Sequence, residues 1–391
     1  MSDAVILGAV RSPIGKRNGM LNGIHPADLS AQVLNGLVER VGIDPGLVDD
    51  VIWGCVSQTG EQAANIGRYA VLTAGWPESV PATTVDRQCG SSQQSVHFAA
   101  AGLVAGHYDI VVAGGVESMS RVPMLVTVDQ GPGVPNSAAF DDRYGGVTIN
   151  QGIGAEMIAA KWGVSRQQAD EIALRSHQRA DAAITEGRFE DQIVPISVPG
   201  DGSVATVVSR DEGVRPDASL EKMATLRPAF QEDGIVTAAN SSQISDGSSA
   251  ILLASSDKAR ELGIRPLARV HSVALAGVDP VSVLTGPIPA TAKVLARSGL
   301  SLDEIGVFEV NEAFASVIGA WEAEYPVDDR RLNPNGGAIA IGHPLGASGA
   351  RVMTTMLYEM LQRGHRYGLQ AICEGGGMAN ATILENLTLG V

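Results

Sequence analysis

Positive charge is in short supply: 28 Lys and Arg stand against 43 Asp and Glu, for a formal net charge of −15 over 391 residues. A surface with that balance repels nucleic acid and anionic membrane, so a phosphate-bearing ligand must find a local cationic patch. Cysteine is scarcer still. Cys55, Cys89 and Cys373 are too few and too scattered for a disulfide framework or a zinc site, and no metal is expected. No apolar run approaches the ~18 residues of a membrane span. The chain enters an apolar strand by Ala4 without the basic and apolar regions of a signal peptide. These absences describe a soluble protein of a reducing compartment, most simply the cytoplasm. What is present is 45% hydrophobic residues, 18% charged residues and 46 glycines, a Gly-rich globular α/β composition long enough for two or three core-forming units.

Read in order, residues 4–10 form an apolar strand. From Pro26 to Val41, Leu29, Val33, Leu37 and Val41 recur every four residues, an amphipathic helix stopped at Gly42. A strand is expected over 51–56, a helix over 61–74, and a strand end at 83–85. A Pro-free, Ala- and Gln-rich helix follows over 91–105, ended by Gly106, and then a buried strand over 110–113 that runs into Gly114-Gly115. Strands alternating with helices at this spacing imply βαβ units and a mostly parallel sheet. Residues 121–152 lose the period. Ser165 then caps a helix, with Gln168 in the capping-box position, that runs to about Glu186, and irregular material continues to about Ser241. This is an insertion between core elements, the kind of segment that usually carries binding. The core resumes with strands over 250–254 and 267–274, a helix over 289–298, a strand over 306–310 and a helix from Glu312. A Gly-rich segment over 335–349, a helix to about Gln362 and strands over 369–372 and 381–384 complete it. Residues 90–120 and 346–377 repeat one order, small residues, helix, buried strand, glycines, as two copies of one half would.

Cys89 lies between a strand end and a helix N-terminus, where free N–H groups and the helix dipole stabilise an anion. Its thiol is therefore expected to ionise more readily than a free one. Asn311, His343 and Cys373 also fall at strand or turn ends, and in parallel sheets the ligand crevice lies at the carboxyl ends of strands. Each has an ordinary alternative. Cys89 and Cys373 can be core filler, Asn311 a cap for the helix from Glu312, and His343 a hydrogen-bonded turn residue. Together they supply two sulfurs, an imidazole and a carboxamide, a set suited to acyl transfer through a thioester. Arg210, Arg215, Lys222 and Arg227 fall within 18 positions and are either a phosphate patch or a solvated face.

At these residues the sequence resembles the thiolase family. The matching segments are Gln88-Cys89-Gly90-Ser91, Asn311-Glu312-Ala313-Phe314-Ala315, the run from Asn335 through Gly342-His343-Pro344, and Cys373-Glu374-Gly375-Gly376-Gly377. The resemblance covers essentially the whole chain. It implies an α/β fold of duplicated βαβ halves forming a layered α/β/α/β/α core with an inserted loop domain. The N-terminal half would take residues 1–118 and 246–266, the loop domain 119–245, and the C-terminal half 267–391. It implies an acyltransferase with Cys89 as nucleophile and His343 as its base and later a donor to the thioester oxygen. Cys373 would be the acid/base at the substrate α-carbon. Asn311 would hold a water that completes one oxyanion site, and the N–H groups of Cys89 and Gly375 would form a second. Coenzyme A would be a substrate rather than a tightly bound cofactor, lying on the insertion against Arg215, Phe230, Ala238, Ser242 and Ile244.

Two positions depart from the family's pattern. Glu374 stands where the family commonly has an apolar residue, and Asn150-Gln151-Gly152 where biosynthetic acetoacetyl thiolases carry His-Met-Gly. The second departure favours degradative cleavage of longer or bulkier 3-ketoacyl-CoA, in lipid or steroid side-chain breakdown, over synthesis of acetoacetyl-CoA. A decarboxylating condensing enzyme would need a second His where Asn311 or Cys373 stands. A non-catalytic lipid carrier would be free to lose the nucleophile. A homodimer or homotetramer is implied, with no nucleic-acid partner.

Overall fold

The computed structural model of the chain describes residues 3–147, 149–200 and 204–389. Nine strands follow one hydrogen-bonded path. The first five, β1 (Ala4–Arg11), β2 (Asp50–Gly54), β3 (Ala82–Val85), β4 (Ile110–Ser118) and β5 (Ser245–Ser255), lie in the order β3-β2-β4-β5-β1. The other four, β6 (Ala268–Gly277), β7 (Ile305–Val310), β8 (Tyr367–Glu374) and β9 (Met378–Asn386), lie in the order β6-β9-β8-β7. The register pairs Val5↔Arg269 and Ile6↔Ala268 join the two runs. Both runs share one scheme: a parallel pair (β2 with β4, β7 with β8), then antiparallel pairing to β5 and β1, or to β9 and β6. The echo in the sequence is thus a repeat of sheet topology.

Helices cover these runs in layers. α1 (Pro26–Val41) and α2 (Ile66–Thr73) pack on the outer face of the first run, where Leu29, Val33, Leu34 and Leu37 meet Val5, Val51, Trp53 and Val112. Burying each of those α1 side chains contributes roughly 1.5–3 kcal/mol. α3 (Ser91–Ala105) and α8 (Leu345–Arg363) lie between the runs. Their residues Val96, Ala99, Met353 and Met356 share one cluster with Ile6, Leu253, Val307 and Leu384. α6 (Pro287–Ser298) and α7 (Ala315–Glu324) close the far side through Val294, Ile318 and Trp321 on Phe308 and Leu369. The result is the five-layer α/β/α/β/α order. Within the insertion, α4 (Gln151–Trp162) and α5 (Arg166–Thr185) are the long elements, and α5 opens on the expected Ser165/Gln168 capping box. The insertion is tied to the core by a buried bidentate pair, Arg11 to Asp211 at 2.7 and 2.8 Å.

Four expectations need correcting. The sheet is not mostly parallel: β2 with β3, β2 with β4 and β7 with β8 run parallel, whereas every other neighbouring pair on the path is antiparallel. The reason is that β5 and β9 each add to a βαβ pair in the opposite sense, and β1 and β6 pair antiparallel to them in turn. The helix over 61–74 is broken, because Ala64 and Asn65 adopt φ of 53° and 66°, and the Asn65 side chain caps α2 at the Arg68 N–H. Gly114-Gly115 do not end β4, which runs on to Ser118. The glycines are needed there for close approach: a Cβ on Gly115 would lie 2.3 Å from the Gly346 carbonyl oxygen of α8. Residues 121–152 also hold two short helices, Val126–Asp129 and Ala138–Tyr144.

Candidate active site

Cys89 sits in a turn held by its own neighbours. Gln88 takes φ 49°, its N–H donates to Asp86 Oδ1 at 2.7 Å, and Ser91 Oγ donates to the Gln88 carbonyl at 2.6 Å. The thiol is buried against Met119, Leu345 and Ile372, with Val56 and Ile244 alongside. Leu345 is two residues beyond His343 and Ile372 one before Cys373, so the three motifs meet at this sulfur. The N–H groups of Gly375 and of Cys89 itself point at it. The expected easy ionisation does not hold. Burial, reinforced by the Glu374 carboxyl, pushes the Cys89 thiol up to about 12 and outweighs those two N–H donors. In the resting protein Cys89 is a thiol and requires a base.

His343 stands two residues before Leu345, which packs in the Cys89 cluster. Its N–H is anchored on Ser245 Oγ at 3.2 Å, and its Nδ1 lies 2.6 Å from Ser348 Oγ. The Ser348 hydroxyl donates to the Pro344 carbonyl at 2.8 Å, so its lone pair accepts from Nδ1–H. That assigns the free lone pair to Nε2, which is buried and has no hydrogen-bond partner among the described residues. Burial first, with help from the Arg351 guanidinium, pulls the imidazole down to about 3, which keeps it neutral.

Asn311 does not cap a helix. α7 begins at Ala315 with Phe314 as its N-cap, and the side-chain oxygen and nitrogen of Asn311 are buried with no hydrogen-bond partner among the described residues. Its N–H donates to the Ala371 carbonyl at 2.9 Å, which sets it beside the end of β8 and Cys373. Cys373 is fully buried in an apolar cluster with Ala313, Phe314, Val283, Leu284 and Ile158. Burial pushes its thiol well up, and the neighbouring Cys89 sulfur adds to the effect. Buried polar groups are nearly always paired. The bare Nε2 and carboxamide therefore mark the place where a ligand's polar atoms would bind.

Two buried carboxylates that the sequence reading passed over hold this arrangement. Glu117 accepts from the N–H groups of Val56, Ser57 and Gly346 and from Gln62 Nε2, at 2.8–3.1 Å, and so pins the start of α8 to the end of β4. Burial pushes its carboxyl up, while these four donors oppose that. Glu312 accepts from Ser176 Oγ at 2.6 Å and the Ile339 N–H at 3.1 Å, fixing the residue after Asn311 to α5 and to the glycine-rich loop. An acidic residue directly after Asn311, and another closing a buried strand, were the available signals.

A cleft of about 660 Å³ opens beside the site, with Arg215, Ala238, Ser242 and Ile244 in its wall. Ile244 also packs at Cys89, so one residue links the cleft to the sulfur. The cationic patch differs from the one expected. Arg210 lines a separate cavity with Phe189 and Ile193, and Lys222 is paired with Asp217 at 2.6 Å. Arg227 is exposed, and Arg215 is joined instead by Lys16 and Arg17. Phe230 is not part of the cleft wall and stands edge-on to Phe314 at 6.0 Å between ring centroids. Among the described residues, no helix is long and apolar enough to cross a membrane, and no group of three or more His, Cys, Asp or Glu is placed to hold a metal ion.

Comparison with known proteins gives a consistent set of relatives. Residues 4–257 match the family model of the thiolase N-terminal domain, and residues 264–386 that of the C-terminal domain. A steroid 3-ketoacyl-CoA thiolase of Mycobacterium tuberculosis is 51% identical over 99% of this chain and 95% of its own length. A 3-ketoacyl-CoA thiolase of Bacillus subtilis is 42% identical over 98% of this chain and 100% of its own. The crystal structure of the Bacillus anthracis acetyl-CoA acetyltransferase superposes with a TM-score of 0.91, at 40% identity, over 99% of each chain.

Proposed function

The chain belongs to the thiolase family, and from that premise we propose that it cleaves 3-ketoacyl-CoA with coenzyme A in a degradative direction. What supports the reading is that the Cys89 and Cys373 sulfurs lie close enough to act on one another, while His343 Nε2 and the Asn311 carboxamide, on segments packed beside theirs, are buried with no hydrogen-bond partner among the described residues.

In this mechanism His343 Nε2 takes the Cys89 proton and the sulfur adds to the C3 carbonyl of the substrate. The C3 oxyanion is held by the N–H groups of Cys89 and Gly375, each such donor being worth roughly 3 kcal/mol. The C2–C3 bond breaks with its electron pair on C2, giving the enolate of acetyl-CoA, whose thioester oxygen accepts from the new Nε2–H of His343 and from a water on Asn311. The Cys373 thiol protonates C2. Incoming coenzyme A returns a proton to Cys373, and its sulfur displaces Cys89 from the acyl group. The departing Cys89 sulfur takes back the proton held on His343 Nε2, and an acyl-CoA two carbons shorter is released. The same reading has coenzyme A and acyl-CoA as exchangeable substrates without a tightly bound cofactor. It also gives a cytoplasmic location and a homodimer or homotetramer.

Residues 119–245 carry the coenzyme in this account. Arg215→Ala is expected to raise KM for CoA substrates roughly ten-fold while kcat stays within a few-fold, because a remote phosphate contact is made equally in ground and transition states. Steady-state kinetics check it. An unchanged KM in this variant, with a raised one in Lys16→Ala or Arg17→Ala, moves the patch to the opposite wall.

The acyl chain is proposed to lie against the apolar residues near Cys373, where Val283 and Leu284 are almost wholly buried with Ile158 and Phe314; Leu284 narrows that wall and argues against a steroid-sized group. Each methylene buried there contributes roughly 0.8 kcal/mol. Thiolysis of a C4 to C16 series should therefore show kcat/KM rising over several carbons. A maximum at C4 with steep loss by C8 makes the chain a biosynthetic acetyl-CoA C-acetyltransferase instead, the second reading, which its structural likeness to an acetyltransferase keeps in view.

A further inference from the structure

The strand that delivers Cys373 ends in a carboxyl that the reaction above does not use. Glu374 is fully buried, and neither of its oxygens has a hydrogen-bond partner among the described residues. Burying a carboxylate in this way is strongly unfavourable unless it is paired or protonated. Its position is specific. A Cβ built on Gly90 would lie 1.8 Å from Glu374 Oε1, so the carboxyl occupies the space that any larger residue after Cys89 would fill. Gly90 is the N-cap of α3 and supplies no side-chain bond of its own.

The groups facing the carboxyl come from three elements. The turn before α3 presents Asp86, Arg87 and Cys89, its own strand presents Cys373, and β9 presents Met378 opposite it in register. Arg87 directs Nη1 to Met378 Sδ at 3.9 Å, and no ion pair between Arg87 and Glu374 occurs among the described residues. Glu117 acts on Cys89 as well, more weakly.

We propose that Glu374 sets the acidity of the nucleophile: its carboxyl, packed on Gly90, and the Cys89 sulfur share room for a single negative charge. The proposal rests on Cys89 being the nucleophile. Burial pushes the carboxyl up to about 8, with Arg87 opposing and Asp86 reinforcing. Below that pH Glu374 is neutral and does not oppose transfer of the Cys89 proton to His343. Above it, a carboxylate faces any thiolate and holds the sulfur in its thiol form. Glu374 touches neither reacting carbon and acts only through Cys89, as a positioning residue.

The test is alkylation of the full-length protein by iodoacetamide across a pH range, with the Cys89 peptide followed by mass spectrometry. The wild-type rate should flatten above about pH 8, while Glu374→Gln keeps rising. The ratio of the two should be near one at about pH 6.5 and about ten-fold by about pH 9.5, since one pKa unit is a factor of ten. Glu374→Ile should follow Glu374→Gln, and Glu374→Asp should keep the flattening. Superimposable profiles for wild type and Glu374→Gln overturn the proposal, as does flattening that persists in the Ile variant. Acetyl-CoA labelling run in parallel separates the two ideas. Wild-type protein that takes no acetyl group at Cys89 removes the functional reading itself. Labelled protein with superimposable alkylation profiles removes only the role of Glu374.

Discussion

Alanine at position 89 is expected to leave a folded protein with no measurable thiolysis, a loss on the order of a millionfold in kcat, the scale seen when a covalent nucleophile is removed. The fold should survive because the turn around residue 89 is held by Asp86, Gln88 and Ser91 and not by the thiol. The sulfur packs in a small cluster with Met119, Leu345 and Ile372, so its loss leaves only a minor void. Cys55 is not placed to substitute for it: that residue lies in the outer cluster with Val51 and Trp53, and burial and Glu117 push its thiol well up. Intact mass after mixing with acetyl-CoA reads the result directly: wild type gains one acetyl group and Cys89→Ala gains none. An acetyl group on the variant, or turnover within a hundredfold of wild type, would assign the nucleophile elsewhere.

The sequence was most informative where structure is decided locally. The ends of α1 and α3 at Gly42 and Gly106 follow from glycines in left-handed conformation, and the start of α5 from a capping box of neighbouring residues. It misled where distant chain intervenes. Gly115 stays in a strand because α8, more than two hundred residues later, passes within contact distance. The acidity of Cys89 was read from its own helix terminus, yet burial and a carboxyl from the end of β8 reverse the sign. Arg215 was legible as a cation on the insertion. Its companions Lys16 and Arg17 come from the loop after β1 and were visible only as adjacent basic residues in an acidic chain. Cys89, Asn311, His343 and Cys373, the proposed catalytic residues, were legible because each lies in a short motif. Glu117 and Glu312, which hold them in place, were not, because their partners are backbone N–H groups and hydroxyls that no local pattern reveals.

Cys373→Ala should separate the two half-reactions. Acetylation of Cys89 by acetyl-CoA needs a base and oxyanion donors but no proton at carbon, so it should proceed near the wild-type rate. Cleavage of 3-ketoacyl-CoA must deliver a proton to the enolate carbon, and removing the group that does so should cost roughly 10³- to 10⁴-fold, towards the upper end for a positioned acid. The environment fits that division of labour. Cys373 is fully buried, and burial together with the Cys89 sulfur holds its thiol well above the ordinary range, so it keeps its proton until a carbanion accepts it. Cys89 differs in having two N–H groups directed at its sulfur and in meeting the segment after His343. Exchange of deuterium into the methyl group of acetyl-CoA isolates the step. Wild type should catalyse it and Cys373→Ala should not, while both carry the acetyl label on Cys89. If the variant cleaved 3-ketoacyl-CoA at the wild-type rate, the proton at C2 would have to come from another group, and the two sulfurs would no longer have separate tasks.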